Sequence, residues 1–439
     1  KCSTTITIGA SSDTVTLACG ASQTGFGRTG TVDWNTTKIT ADPANAVSGT
    51  GYFCDTSGGA FTVTLPTSPS AGDIVAVSDY TRTWNSNNLT IGRNSKPIGG
   101  VAFDATLDVN GQSATFVFVD DTEGWINIQE TQTSQTGVLP AYVVATGGTP
   151  CAGATCGDYK IHTFTGPGTL CVSCIGNAGG NTKIDYMVVA GGGGGGQDGG
   201  GGGAGGFRES VPSPAAWTAS PIAASSGALT AVAGPNAIVV GGGGAGAPSP
   251  SPSCGVKGND SSFSTITSTG GGKAGGWDTP GGGGGDGGSG GGGGMPGPGG
   301  SLYCGGAGDV PSTTPDQGFP GGKGWHESGV SSWGGGGGGA TAAGATGTVP
   351  ENGGSGGTGA TTSISGTPTA YAGGGGGRPN SPVSGTGGTG GGGDAGGPQS
   401  PSNAGIAGTV NTGGGGGGGS NSPPKAGAGG GSGIVIIRY

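Results

Sequence analysis

Apolar and polar side chains alternate with period two along residues 1–130, the pattern of half-buried β-strands. Ile6 and Ile8, Val15 and Leu17, and then Phe61, Val63 and Leu65 each share a face, with threonine on the opposite one. Two stretches, 73–77 and 115–119, are apolar on both faces and are expected to be central strands. Residues 116–128 (FVFVDDTEGWINI) predict a hairpin about the polar turn from Asp120 to Gly124. No helical periodicity of useful length interrupts them. The expected first domain, 1–137, is therefore an antiparallel β-sandwich or barrel.

The alternation continues through 142–146, 158–164, 169–176 and 184–190, which predicts a small second β domain over 138–190. At Gly191 it stops. Polyglycine runs follow at 191–196, 199–203, 281–285, 290–294, 334–339, 373–377, 390–393 and 413–419, separated by segments rich in Pro, Ser, Thr and Gly. The sequence then returns to a strand at 434–439 (IVIIRY).

Composition sharpens this division. Of the 117 glycines, 25 lie in residues 1–190 and the other 92 in the remainder, which has too few large apolar side chains for a conventional core. Gly/Ser tracts ordinarily behave as flexible coil. Here the runs recur at similar length, and an apolar strand closes the tract, which a loose linker does not require. The ordered alternative is a bundle of polyglycine II helices over 191–433. Such helices have three residues per turn and ~3.1 Å rise, so six glycines span ~19 Å. They make no internal hydrogen bonds, so neighbours must supply the partners and must approach without an intervening Cβ. Ordering glycine costs ~1–2 kcal/mol per residue, and a lateral hydrogen bond returns only ~0.5–1.5 kcal/mol. The bundle is thus expected to be clamped, with 187–190, 237–240 and 434–439 pairing as one small sheet. The full expectation is an all-β chain with domains at 1–137, 138–190 and 191–439, the last locked by the strand 434–439.

The formal charge is −9, and the 15 Lys and Arg are scattered without a basic cluster, which argues against nucleic acid as a partner. No apolar run approaches the ~20 residues of a membrane span, so no membrane insertion is expected. Lys1-Cys2-Ser3 has neither Met nor a hydrophobic signal core, which reads as a processed or truncated start. Nine cysteines with few charges suit an extracellular or virion surface. Cys151, Cys156, Cys171 and Cys174 have a spacing that zinc could use, but the last two sit in a strand-like segment, so disulfides or buried thiols are the expectation and no metal is assigned. The odd total leaves Cys2 as the candidate for an intermolecular bond.

Catalytic chemistry is sparse. Only His162 and His326 are present, and His162 alternates with Lys160 and Phe164 as a structural strand residue would. The match to G-x-G-x-x-G within the first polyglycine run has no amphipathic helix after it, and Gly-Lys-Ser/Thr is absent. Asp120, Asp121 and Glu123 read as a solvated hairpin turn before they read as a Ca²⁺ site. No cofactor and no enzymatic activity are expected. The informative residues are aromatics set between glycine runs: Trp217, Trp277, Tyr303, Trp325, Trp333 and Tyr371, with His326 beside Trp325. They either cap the bundle or form a recognition surface, since exposed rings offer large contact area. The loop 301–333 carries most of them.

Several blocks together resemble marine bacteriophage tail-fibre proteins and, more loosely, the polyglycine-sandwich adhesins of long tail fibres. They are 14–34, 51–66, 72–80, 116–129, 184–196 with 201–209, and the terminal 430–439. The resemblance implies a virion fibre module with β-rich attachment domains and a glycine-rich tip whose loops touch the host. The expected function is a non-enzymatic structural and adhesive subunit of an extracellular fibre, homo-oligomeric, recognising a host cell-surface glycan or outer-membrane protein. The alternative is a self-assembling helical filament in which the N-terminal strand 1–9 completes a neighbour's sheet.

Overall fold

The computed structural model describes residues 31–129 and 140–439, apart from 178, 226, 251–252, 298–301, 328–330, 349–351, 380–382, 398–403 and 421–424. The expectations placed on Cys2, on the 1–9 strand and on the alternation at Ile6 to Leu17 lie outside these residues. Two compact units divide the chain, Lys1–Pro140 and Ala141–Tyr439. Among the described residues all regular structure is β, and none of the sheets closes into a barrel.

The first unit has two sheets. One runs in the order Asp33–Ile39, Thr50–Cys54, Ile74–Asp79, Ser113–Asp120, Gly124–Asn127, and the other in the order Phe61–Thr64, Leu89–Gly92, Ala105–Leu107. The doubly apolar stretches occupy central positions, and the 113–127 hairpin forms about its polar turn. Asp120 caps that turn by accepting the Thr122 and Glu123 amides, each at 2.8 Å, while Asp121 pairs with Lys96 at 2.6 Å. The expected all-antiparallel sandwich or barrel needs correction. Thr50–Cys54 lies parallel to both Asp33–Ile39 and Ile74–Asp79, and Phe61–Thr64 lies parallel to Leu89–Gly92. Between Thr50–Cys54 and Ile74–Asp79, and between Phe61–Thr64 and Leu89–Gly92, the chain passes through a strand of the other sheet, which lets each pair run the same way, whereas Ser113–Asp120 is antiparallel to both of its neighbours. Trp84, Trp125, Phe116, Leu65 and Ile91 fill the core between the sheets.

The second unit is built on two further sheets. The first is ordered Thr149–Cys156, Tyr159–Phe164, Ile434–Arg438, Lys183–Val189, Phe207–Val211, Ala224–Ser225, with Leu229–Thr230 also on Lys183–Val189. The second is ordered Ile266–Ser268, Ser261–Phe263, Gly234–Val239, Gly168–Ile175, Val143–Thr146. The strands of 141–190 thus share their sheets with strands from the glycine-rich region. The terminal strand does pair with Lys183–Val189, and it also takes Tyr159–Phe164 on its other edge. The expected third member of that clamp is elsewhere: Gly234–Val239 pairs with Gly168–Ile175 in the second sheet.

Alternation gives the first sheet two apolar faces. Val435, Ile437, Tyr186 and Val188 face the core shared with the second sheet. Ile434, Ile436, Met187 and Val189, with Phe207 of the same sheet, face the opposite way, onto Tyr371, Ile364 and the alanines Ala204, Ala340 and Ala372 in or beside the glycine segments. One sheet therefore belongs to a sandwich on one side and roofs the glycine region on the other.

That region is held by backbone hydrogen bonds between segments, and their register repeats every three residues. From 191 to 196, the amides of Gly191 and Gly194 donate to Asn259 and Val256, those of Gly192 and Gly195 to Gly431 and Ala428, and those of Gly193 and Gly196 to Gly203 and Gly200. Segment 199–206 is bonded to six others. It donates to 269–275, 335–338 and 413–416, and it accepts from 193–196, 289–292 and 375–378. A Cβ on Gly202 would fall on the carbonyl oxygen of Gly193, and one on Gly201 on that of Gly375. Neighbouring backbones are in direct contact there, which is why these positions are glycine.

Candidate functional site

The hydrogen-bond register fixes two ends for the glycine segments. The sheet end holds Ala190, Phe207, Ala340, Ala372 and Gly433. At the other end the chain turns through Gln197–Asp198, Trp277–Asp278 and Met295, tied together by Trp277 N to Gln197 O at 3.3 Å and Asp278 N to Met295 O at 3.0 Å. Arg378 lies here too, its amide donating to Gly199 and its carbonyl accepting from Gly334.

A buried ion pair closes the middle of this far end. The guanidinium of Arg378 donates to the carboxylate of Asp198, with the sulfur of Met295 3.6 Å from Nη1. Burial lowers the Arg378 pKa, and the carboxylate opposes that shift. A buried pair of this kind contributes fixed geometry more than net stability, and removing one partner is costly.

Next to this pair, joined to it through the Gly334 amide and the Arg378 carbonyl, is a three-stranded sheet ordered Leu302–Tyr303, Gly324–Glu327, Ser331–Trp333. Its register sets Trp325 between Leu302 and Trp333. Trp333 is fully buried, its indole lying where a Cβ on Gly347 would go. Trp325 and Leu302 are instead 41% and 38% exposed, a paired apolar surface that none of the described residues covers. His326 is half-buried, with Nδ1 2.7 Å from the Ser332 hydroxyl, which itself donates to the Pro296 carbonyl at 3.0 Å. The serine has one proton to give, so His326 Nδ1 is the donor to it, which in the singly protonated ring leaves Nε2 as an acceptor. Tyr303 sends its hydroxyl to the Thr279 carbonyl at 3.3 Å and packs its ring over Gly282.

Of the seven residues singled out from sequence, Trp277, Tyr303, Trp325, His326 and Trp333 therefore share the far end. Only Trp325 among the tryptophans there is exposed, because Trp333 fills the space left by the glycine at 347. Trp217 and Tyr371 lie at the sheet end and are packing residues. Trp217 donates Nε1 to Glu209 at 3.1 Å and stacks on the Arg438 guanidinium at 4.6 Å, while Tyr371 is a core member whose hydroxyl pKa is raised by burial. Trp333 and Tyr371 are buried and Trp217 is partly buried, so of these rings Trp325 is the one left exposed. Leu302 and the Arg378–Asp198 pair were not foreseen. The pair had a signal, since each charge directly borders an otherwise uncharged glycine run.

The four spaced cysteines are free thiols. Cys151 and Cys156 belong to the first sheet and Cys171 and Cys174 to the second, so the spacing in sequence does not become a cluster in space. Among the described residues no group of three or more His, Cys, Asp or Glu is placed to hold a metal ion. No helix among them is long and apolar enough to cross a membrane.

A family model described as a glycine-rich domain matches residues 167–439, more than half of the chain. The chain belongs to this glycine-rich domain family. No curated protein matches it. The matched glycine-rich domain begins at the strand Gly168–Ile175, well before the first polyglycine run, so it takes in four of the five strands of the second sheet, the strands Lys183–Val189, Phe207–Val211 and Ile434–Arg438 of the first, and the far end.

Proposed function

We propose that the chain is a non-enzymatic structural and adhesive subunit of an extracellular fibre of the phage tail-fibre kind, and that its glycine segments are polyglycine II helices presenting a receptor-binding end. The observation that carries the reading is the three-residue repeat of the hydrogen bonds, with segment 199–206 bonded to six neighbours. Three residues per turn with all bonds lateral is the geometry of that helix. A bundle so cross-linked is stiff along its whole length, and it fixes both ends of every far-end turn. Those turns can then vary in sequence without disturbing hydrogen-bonded glycine.

At that end, Trp325 and Leu302 offer apolar contact and His326 Nε2 an acceptor. This suits a host cell-surface receptor met by stacking and uncharged hydrogen bonds. Localisation to the virion or cell exterior and assembly into a homo-oligomeric fibre follow from the same proposal.

Electron microscopy with gold-labelled antibody against the intact chain, applied to the particles that carry it, tests the reading. Label at the ends of virion fibres is the expected result. Label on free filaments would favour the self-assembling alternative, and absence from any surface fibre would overturn both.

A further inference from the structure

A second concave site lies away from the far end, against the sandwich of the second unit. It is a cleft of about 710 Å³, within the size range of small-molecule sites, roughly 300–1,000 Å³. Three tyrosines line it: Tyr142, Tyr159 and Tyr439. Tyr142 is 62% exposed, an unusual position for a ring that stacks on no other among the described residues. Tyr159 and Tyr439 are fixed from behind. The first carries the Arg438 guanidinium 4.5 Å from its ring centre, and the second is tied by its hydroxyl to His162 Nε2 at 2.9 Å.

The polar groups in the same cleft are balanced. The charged side chains lining it are two of each sign, Asp158 and Asp185 with Lys160 and Lys183, so they present no single-signed field to an ion. Both lysines already donate to hydroxyls, Lys160 to Thr155 at 2.8 Å and Lys183 to Thr230 at 2.9 Å. Asp185 is buried, and its Oδ1 accepts the Ser210 hydroxyl at 2.7 Å, which leaves Oδ2 to accept from a ligand. Asn181 is held by reciprocal bonds with the backbone of Lys183, at 2.8 and 3.1 Å.

Rings for apolar faces, donors and acceptors of both kinds, and charges of both signs together select one ligand class. A lipid would strand the carboxylates and amines, whereas a phosphate would meet two aspartates. We propose that this cleft binds a neutral saccharide of one or two rings, its C–H faces on the tyrosines and its hydroxyls on Asp158, Asp185 and Lys160. The site stands whether or not the chain is a fibre subunit, and it is separate from the Trp325 end.

Saturation-transfer NMR on the full chain tests it, with the methyl glycosides of glucose, galactose, mannose and N-acetylglucosamine as probes. Transfer to the ring protons of at least one probe is expected. Its affinity should fall about tenfold in Tyr142→Ala and in Asp158→Asn, both exposed positions, and should be unchanged in Trp325→Ala. No transfer from any probe would overturn the proposal. So would transfer that survives both cleft substitutions or is lost with Trp325→Ala, since binding would then lie elsewhere.

Discussion

The imidazole of His162 stacks on the phenol of Tyr439 at a centroid separation of 5.5 Å and is joined to its hydroxyl at 2.9 Å, although 277 residues separate them in sequence. The other ring nitrogen, Nδ1, lies 2.7 Å from the carbonyl of Gly147, so it carries the proton, and Nε2 accepts from the tyrosine. The Tyr439 hydroxyl also receives the Ala145 amide at 3.0 Å. One neutral histidine thus ties the terminal strand to two segments of the sandwich.

Burial lowers the His162 pKa, with the charge on nearby Lys160 acting the same way and the Gly147 carbonyl opposing. The folded state therefore prefers the neutral ring more than the unfolded chain does. Stability from this source is complete above the unfolded value of about 6.5 and is lost as pH falls from there through the lower folded value. Thermal unfolding of the full chain should show a falling midpoint between neutral and mildly acidic pH. In His162→Gln that part of the pH dependence should disappear.

Gly202 sits in the segment with six bonded neighbours, and a Cβ there meets the Gly193 carbonyl. Gly202→Ala should cost roughly 3 kcal/mol or more, because backbone cannot move aside as a side chain can. Gly166 has nothing within 4 Å of its Cβ position, so Gly166→Ala should be within about 0.5 kcal/mol of the parent. Urea titrations of the two variants check the contrast, and equal effects would refute close backbone packing.

Ile436 and Ile437 are adjacent in the terminal strand, both almost wholly buried, and they enter opposite cores. Each substitution to Ala should cost about 2–5 kcal/mol. If only the sandwich mattered, Ile436→Ala would be mild, so a large loss there reports on the contact between sheet and glycine segments. Equilibrium unfolding measures both.

Thiol labelling should divide the cysteines by environment. Cys54 is fully buried, and burial pushes its pKa up to about 12, whereas Cys151, Cys171 and Cys304 are exposed. Iodoacetamide followed by peptide mass mapping should modify the three exposed thiols in the native protein and Cys54 only after denaturation.

Much of the architecture could be read from periodicity alone. The doubly apolar stretches at 73–77 and 115–119 became central strands, and the turn from Asp120 to Gly124 made its hairpin, because burial on both faces and turn chemistry are local properties. Strand direction was not legible. Parallel pairing of Thr50–Cys54 with Ile74–Asp79 depends on how the chain crosses between sheets, which alternation does not encode. The same limit explains the displaced strand Gly234–Val239, whose apolar side suits either sheet of the sandwich.

At the candidate site, sequence could pick out aromatics among glycines but not sort them. Trp325 and Trp333 look alike in the chain, and what separates them is Gly347, whose missing side chain makes room for one indole and not the other. Trp217 and Tyr371 likewise have no local mark of the roofing sheet that covers them.

The position of Ile434–Arg438 between two partners also bears on how the protein is made. Tyr159–Phe164 and Lys183–Val189 are synthesised some 250 residues earlier, and they do not pair with each other. Until residues 434–438 emerge, the sheet has an unoccupied slot with backbone donors and acceptors open on both sides. The glycine segments meanwhile lack the surface they rest on, so this unit matures late and slowly, as folds built on distant pairings do. During that interval the slot is a template for the same strand from a neighbouring copy, and crowding nascent chains together should favour exchanged dimers over monomers.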